Sequence, residues 1–400
     1  MKKSIFINIH YMEIGGAETS LIGLLQALDP KRVDVYLFIN DHRGEMMRCI
    51  PEWVKILPPI PLYTMIERPM KEVLKKGYYR LFLARLLAKW KFYLYNKKYH
   101  PAERFAILGY LGRYVTSILP PIGASKIYDL AISFVTPHDI VLNKVKAKKK
   151  ICWIHTDYTT VNIDADWEFP VWNGYDSIVS ISADVTRTFC EVFPSLRNKI
   201  VEMENIISPE FVRQRANLGS HPLDMPAEKD TTILLTIGRY TYQKKMEEIP
   251  IICRLLLEKG CKVKWYIIGY GGEGEYIRSA IRHEKMENRV VMLGKKANPY
   301  PYIKACDWYV QPSRYEGKSV VVREAQILQK PVIVTDYPTA SSQVKNGIDG
   351  VIVPMAVEPC ATRIFETIHN HRLKSDIIKF LSAHDYGNVN EVHKLYRLIQ

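Results

Sequence analysis

Short apolar runs recur along this chain, each separated from the next by a stretch long enough for a helix, and that rhythm restricts the fold more than any other feature. In the first half they fall at 5–9, 33–39, 54–57, 128–134, 151–154, 177–182 and 200–203, and in the second at 233–237, 263–268, 290–293, 308–310 and 332–335. A strand covered by helices on both faces reads as a nearly continuous hydrophobic run, and parallel neighbours can be joined only through a crossover of helix length. Two successive doubly wound α/β domains follow from the two series, and a length of 400 residues agrees with a small number of domains of about 150 residues each. The expected boundaries are a first domain over 1–210, a second over 211–385, and a terminal helix over 386–400 that packs back across the first domain. The polar, proline-broken stretch from Arg213 to Thr231 reads as the linker.

One segment departs from this rhythm. Between Arg68 and Arg104 stand eleven Lys or Arg against two acids, Glu72 and Glu103, with Tyr78, Tyr79, Phe82, Trp90, Phe92, Tyr93 and Tyr95 interleaved. Much of the formal net charge of +14 is therefore local, and a basic helical segment is expected over about 68–120. A basic helix that also carries Leu81, Phe82, Leu86, Leu87, Trp90 and Phe92 has the composition of a segment lying in an anionic lipid interface. The plainer reading is a packed helical insertion with a solvated basic face, and the two are compatible. No recognised motif frames these residues for nucleic acid, which is not expected as a partner. The apolar run after Met1-Lys2-Lys3 is broken by Asn8 and His10, so a first buried strand is expected there rather than a signal peptide. With no uncharged apolar run of about 18 residues, the expected location is the cytoplasm, peripheral on the inner face of the cell membrane. The seven cysteines are scattered without any Cys-x-x-Cys pair and read as reduced core residues.

Candidate chemistry concentrates at strand ends. From Ser313 to Lys330 the chain reads S-R-Y-E-G-K-S-V-V-V-R-E-A-Q-I-L-Q-K, a turn followed by a helix that Ser319 can cap and Pro331 stops. Unpaired amides at a helix start favour an anion, so Gly317, Lys318 and Ser319 suit a diphosphate. Glu316 and Glu324 flank that point and can accept hydrogen bonds from sugar hydroxyls. Gly238 and Arg239 end another strand, with Lys244 on the same loop; a fork and a point charge together suit a diphosphate, whereas the plain alternative is surface ion pairing. Gly269 to Gly274 spells G-x-G-x-x-G, but the next strand ends Leu293-Gly294-Lys295-Lys296 with no acid for a ribose, which disfavours a nicotinamide dinucleotide. In the first half, Gly15-Gly16-Ala17-Glu18 opens a helix after the first strand, either for close approach to a ligand or as a simple tight turn. His155 and Asp157 stand at a strand's carboxyl end, the edge where open parallel sheets bind ligands, although a lone histidine is commonly structural.

Taken in order, G-R-Y-T-Y-Q-K-K, I-I-G-Y-G-G-E, L-G-K-K-A-N-P-Y, Q-P-S-R-Y-E-G, the Glu316/Glu324 pair and K-P-V-I-V-T-D resemble glycosyltransferase family 4. G-G-A-E, W-I-H-T-D and E-N-I extend the resemblance into the first half. It implies the GT-B fold, two Rossmann-like domains facing a central cleft, and a retaining transfer of sugar from a nucleotide donor, UDP-linked, to a lipid-linked or saccharide acceptor in cell-surface polysaccharide synthesis. It further implies that Arg239 and Lys244 bind the diphosphate with Gly238 and the amides of Gly317 to Ser319. By the same resemblance Glu324 holds the ribose, Glu316 the sugar hydroxyls, Gly16 approaches the donor phosphate, and His155 contacts the donor sugar. Lys245 stands where the family usually has glycine, and Lys318 and Ser319 replace commoner aromatic or small apolar residues, which bears on the choice of sugar.

A departing nucleoside diphosphate needs its charge stabilised, and Arg, Lys and a helix start can do that without a metal, so neither metal nor cofactor is expected. The absence of an obvious carboxylate nucleophile favours a same-face substitution through an oxocarbenium-like state. The alternative is a basic membrane- or nucleic-acid-binding scaffold without catalysis, which would have no use for Arg239, Lys244, Glu316 and Glu324 together.

Overall fold

The computed structural model describes every residue except 1, 101–104, 124, 157, 159, 160 and 219–221. Asp157, Glu103 and Arg104, singled out above, lie outside the described residues. The chain forms two compact units, one of Met1–Ile206 with Val389–Gln400 and one of Ile207–Asn388.

The first unit is built on seven parallel strands: β1 (Lys3–Ile9), β2 (Val33–Ile39), β3 (Lys55–Ile56), β4 (Tyr128–Ser133), β5 (Ala147–Ile154), β6 (Ser177–Ser180) and β7 (Ile200–Glu202). Their order is β3-β2-β1-β4-β5-β6-β7, so the direction of winding reverses between β1 and β4. Register is set by burial on both faces. Ile5, Phe6 and Ile7 pair with Leu130, Ala131 and Ile132, and all six side chains are fully buried.

The second unit has six parallel strands, β8 (Thr232–Ile237), β9 (Val263–Ile268), β10 (Val290–Gly294), β11 (Trp308–Gln311), β12 (Val332–Thr335) and β13 (Val351–Val353), in the order β10-β9-β8-β11-β12-β13. Winding reverses here between β8 and β11, where Leu234 and Leu235 lie opposite Trp308 and Tyr309. In such sheets the crevice at the carboxyl ends beside the reversal is the natural ligand site. Three-residue β13 was not anticipated from sequence. Its two buried valines carry too little pattern to separate a strand from a loop.

The stretch from Arg213 to Thr231 does not link the units. Its start belongs to a helix, Pro209–Asn217, capped by the Ser208 hydroxyl, whose Val212 and Ala216 are buried in the second unit's core; Arg213, Gln214 and Asn217 lie on the solvent face of that helix. Beyond Asn388 the chain rejoins the first unit. A helix over Val392–Ile399 is fixed there by Tyr396, whose hydroxyl accepts the Asp29 amide at 2.7 Å and whose ring lies under Arg32. All seven cysteines are free, and all but Cys49 are buried.

The basic segment folds into helices over Met70–Lys75, Tyr79–Tyr99 and Ile107–Ile118. Its apolar strip differs from the one expected. Leu81 is buried together with Ala84 and Ala88, and Phe92 packs on a small cluster of Ala88, Ala106 and Tyr110, so both face inward. Among the described residues no helix is long and apolar enough to cross a membrane.

Candidate functional site

In the second unit, β8 and β11 are neighbours, so the loops leaving their carboxyl ends meet. Glu316, in the turn after β11, is buried. Its Oε1 accepts hydrogen bonds from Lys244 Nζ at 2.5 Å, Ser313 Oγ at 2.5 Å and Gln311 Nε2 at 3.2 Å. Gln311 is oriented in turn by Tyr309, whose hydroxyl donates to Gln311 Oε1 and thereby turns the amide nitrogen toward Glu316 and Ser313. Gln243 Nε2 reaches Glu316 Oε2 at 3.5 Å, and Thr339 Oγ1 holds the Glu316 carbonyl at 2.9 Å. The cation and the carboxylate expected to act on the same ligand are thus at one point, and a phosphate oxygen within reach of Lys244 Nζ would lie beside Glu316.

Gly238 and Arg239 continue from β8. A Cβ on Gly238 would lie 3.2 Å from Lys244 Cε, so the glycine lets the lysine stem pass toward Glu316. Arg239 is exposed; its carbonyl accepts the Thr241 amide at 2.9 Å, and its side chain makes no hydrogen bond or ion pair among the described residues. Lys245 adopts φ +53°, in the left-handed region that favours glycine. Its buried stem is held at the far end, where Nζ donates to the Met355 carbonyl and pairs with Glu248 at 2.8 Å.

The G-x-G-x-x-G stretch after β9 serves this loop. Gly238 and Tyr240 donate their amides to the carbonyls of Ile268 and Tyr270, and Glu273 donates to that of Tyr240. A Cβ on Gly269 would stand 1.8 Å from the Gly238 carbonyl oxygen, and one on Gly271 would stand 2.5 Å from that of Tyr240. The glycines are present so that the loop carrying Arg239 can lie on them.

The helix after the turn spans Val320–Ile327 with Ser319 at its cap position, though the Ser319 side chain makes no capping bond. Gln343 clamps Ser319 instead, its Oε1 accepting the Ser319 amide at 3.0 Å and its Nε2 donating to the Ser319 carbonyl. That amide is spent inside the unit. Gly317 and Lys318 are partly exposed at the turn. Glu324 is buried in the helix with the Tyr300 hydroxyl donating to its Oε1 at 2.8 Å. Burial pushes its pKa up to about 7.

Sequence reasoning missed Gln311, Ser313, Gln243, Gln343 and Tyr300 as supports of this group. The signal was present for Gln311 and Ser313. Polar side chains at the end of a buried strand must find partners, and a carboxylate five residues on supplies one.

In the first unit, Gly16 begins the helix Gly16–Ala27 after β1, with Gly15 extended at its cap. A Cβ at Gly15 would strike the Glu18 carboxylate, whereas one at Gly16 would meet nothing within 4 Å, so no packing within the unit requires glycine there. Ser20 of the same helix donates to Asn205 Oδ1 at 2.7 Å, tying the G-G-A-E and E-N-I stretches together. His155, just after β5, places Nε2 2.9 Å from the Phe134 carbonyl at the end of β4. A carbonyl only accepts, so Nε2 carries the proton. Burial pushes the pKa down to about 4, and the neutral ring keeps Nδ1 as an acceptor. His138, missed from sequence, is buried nearby between Ser133 and Thr136 hydroxyls, and burial pushes its pKa down to about 3. The edge rule that singled out His155 applies equally to the T-P-H-D that follows β4. Among the described residues no group of three or more His, Cys, Asp or Glu is placed to hold a metal ion.

With this geometry in hand, comparison with known proteins places the fold. Structurally, the chain superposes over 99% of its length on 99% of Anabaena HepE, solved in complex with UDP-glucose, with a TM-score of 0.67 and 14% identity. The fold is GT-B. In sequence, residues 224–380 match the family described as "Glycosyl transferases group 1". Glycosyltransferase MJ1059 of Methanocaldococcus jannaschii is 28% identical over 174 residues, 42% of this chain and 42% of its own. The Staphylococcus aureus capsular polysaccharide biosynthesis glycosyltransferase CapM is 27% identical over 205 residues, 50% of this chain and 54% of its own. The chain thus spans about half the length of these relatives.

Proposed function

We propose that this GT-B protein is a retaining hexosyltransferase that moves a sugar from a UDP-linked donor to a lipid-linked or saccharide acceptor during assembly of a cell-surface polysaccharide, at the inner face of the cell membrane. The observation that carries this reading is the meeting of Lys244 with Glu316 at the carboxyl ends of two adjacent strands, with an exposed Arg239 on the same loop whose side chain has no partner among the described residues. Arg239 and Lys244 take the diphosphate, and as its bond to the sugar breaks they stabilise the charge that develops on the leaving oxygen. Glu316, oriented by Ser313 and Gln311, accepts hydrogen bonds from the sugar's hydroxyls and fixes the reacting carbon. Glu324 offers its carboxyl to the ribose. Gly317, Lys318 and Ser319 shape the turn beside the diphosphate, and Gly16 and His155 of the first unit supply the phosphate and sugar contacts that the resemblance implies. Transfer on the same face then needs no enzyme nucleophile, and the two cations take the part a metal plays elsewhere. The capsule-forming relative and the UDP-glucose complex of a protein with the same fold support this substrate class.

Calorimetric titration with UDP and a panel of UDP-sugars, with and without chelator, tests the proposal. UDP should bind equally well in chelator, and Arg239→Ala and Lys244→Ala should each weaken it by about 1.5 to 3 kcal/mol, the range for hydrogen bonds to charged groups. Binding lost in chelator would refute the metal-free scheme, and no binding of any nucleotide would refute the reading as a whole.

A further inference from the structure

The helix Tyr79–Tyr99 is apolar on two opposite sides. One side, Leu81, Ala84 and Ala88, is buried. The other consists of Tyr79, Leu83, Leu86, Leu87, Trp90, Tyr93 and Leu94, each between 41% and 64% exposed. At 100° per residue these seven fall within an arc of about 120° centred almost opposite the buried side. They form a stripe about 23 Å long at 1.5 Å per residue. Scattered exposed leucines are ordinary, but a continuous stripe of this kind marks a surface that something covers.

The charges around it identify what that is. Arg80 and Lys98 lie along one flank and Lys89 along the other, with Lys97 at the end of the stripe, Lys71 and Lys75 in the preceding helix and Lys76 just after it. Glu72 is the one acid between residues 70 and 99. A second copy of the chain seated on the stripe would bring these rows of cations against each other. An anionic bilayer surface complements both parts, because leucines enter the acyl boundary, Trp and Tyr rings sit at headgroup depth, and the flanking cations meet acidic headgroups. We infer that the exposed stripe of the 79–99 helix is a membrane-docking surface for acidic phospholipid, with Leu83, Leu86, Leu87 and Trp90 as its inserted centre. The inference does not depend on the transferase reading.

Co-sedimentation of the full chain with vesicles of phosphatidylcholine alone, or with a third phosphatidylglycerol, tests it. Binding to the anionic vesicles should exceed binding to neutral ones at least about tenfold at low salt and fall as salt rises. The triple change Leu83→Ser, Leu87→Ser and Trp90→Ser should lower it at least about tenfold while thermal unfolding and UDP titration stay unchanged, since all three side chains are exposed. Bromine-labelled lipid should quench wild-type tryptophan fluorescence and lose most of that effect in Trp90→Phe. Failure of the wild type to bind anionic vesicles at low salt would overturn the inference. So would a triple variant that binds as well as wild type, including one in which a dimer has merely become a monomer. Equal quenching in wild type and Trp90→Phe would overturn the assigned inserted centre.

Discussion

Replacing Glu324 with glutamine should change how the stability of the second unit depends on pH. The carboxyl is buried in the Val320–Ile327 helix, with the Tyr300 hydroxyl as its hydrogen-bond donor. Burial favours its neutral form and raises the pKa from 4.5 to about 7. Between these values the folded chain holds a proton that the unfolded chain has released. Stability from this group is therefore complete below pH 4.5, declines as pH rises, and is gone above 7. The displacement corresponds to about 3 kcal/mol. Glutamine cannot ionise and can still accept from Tyr300, so Glu324→Gln should be relatively more stable than wild type by about 3 kcal/mol at pH 8 and close to it at pH 4.5. Taking the difference between the two proteins cancels groups common to both, including His138 and His155, whose depressed pKa values act in the opposite sense as pH falls below 6.5. Urea-dependent hydrogen exchange of the peptides covering β11 and β12 reads this locally. Because the Tyr300 hydrogen bond opposes the rise, Tyr300→Phe should push the decline to still higher pH. Parallel pH profiles for wild type and Glu324→Gln would refute the argument, because a carboxyl that stays charged when folded gives no such difference.

Two further outcomes follow from the site. Gly269→Ala should destabilise the second unit by at least about 2 kcal/mol, because the residue sits at φ +155° and its new Cβ would overlap the Gly238 carbonyl; unchanged urea unfolding would show that the 238–240 loop does not rest on it. Glu316→Gln should leave UDP affinity within about threefold of wild type while lowering turnover at least about a hundredfold. A loss of UDP affinity equal to that of Glu324→Ala would contradict the separate roles proposed for the two carboxyls.

What the sequence determined by itself was whatever rests on local pattern. Runs such as Ile5–Ile9 and Val263–Ile268 read as doubly buried strands because hydrophobic burial on two faces leaves its mark residue by residue, and strand ends located Gly238, Arg239, Glu316 and His155 for the same reason. Boundaries with a weak pattern were lost: β13 is too short to show a period, and the end of the helix Pro209–Asn217 passed for the start of a linker because Arg213, Gln214 and Asn217 face water. Pairing in space was decided only by the tertiary structure. Lys244 reaches Glu316 because β8 and β11 are neighbours at the reversal of winding, and strand order is not written in any single segment. The role of Gly269 depends on a carbonyl thirty-one residues away in the chain. The 79–99 helix makes the same point: its sequence shows leucines, aromatics and cations all around, and only packing Leu81, Ala84 and Ala88 inward determines which apolar side is left exposed.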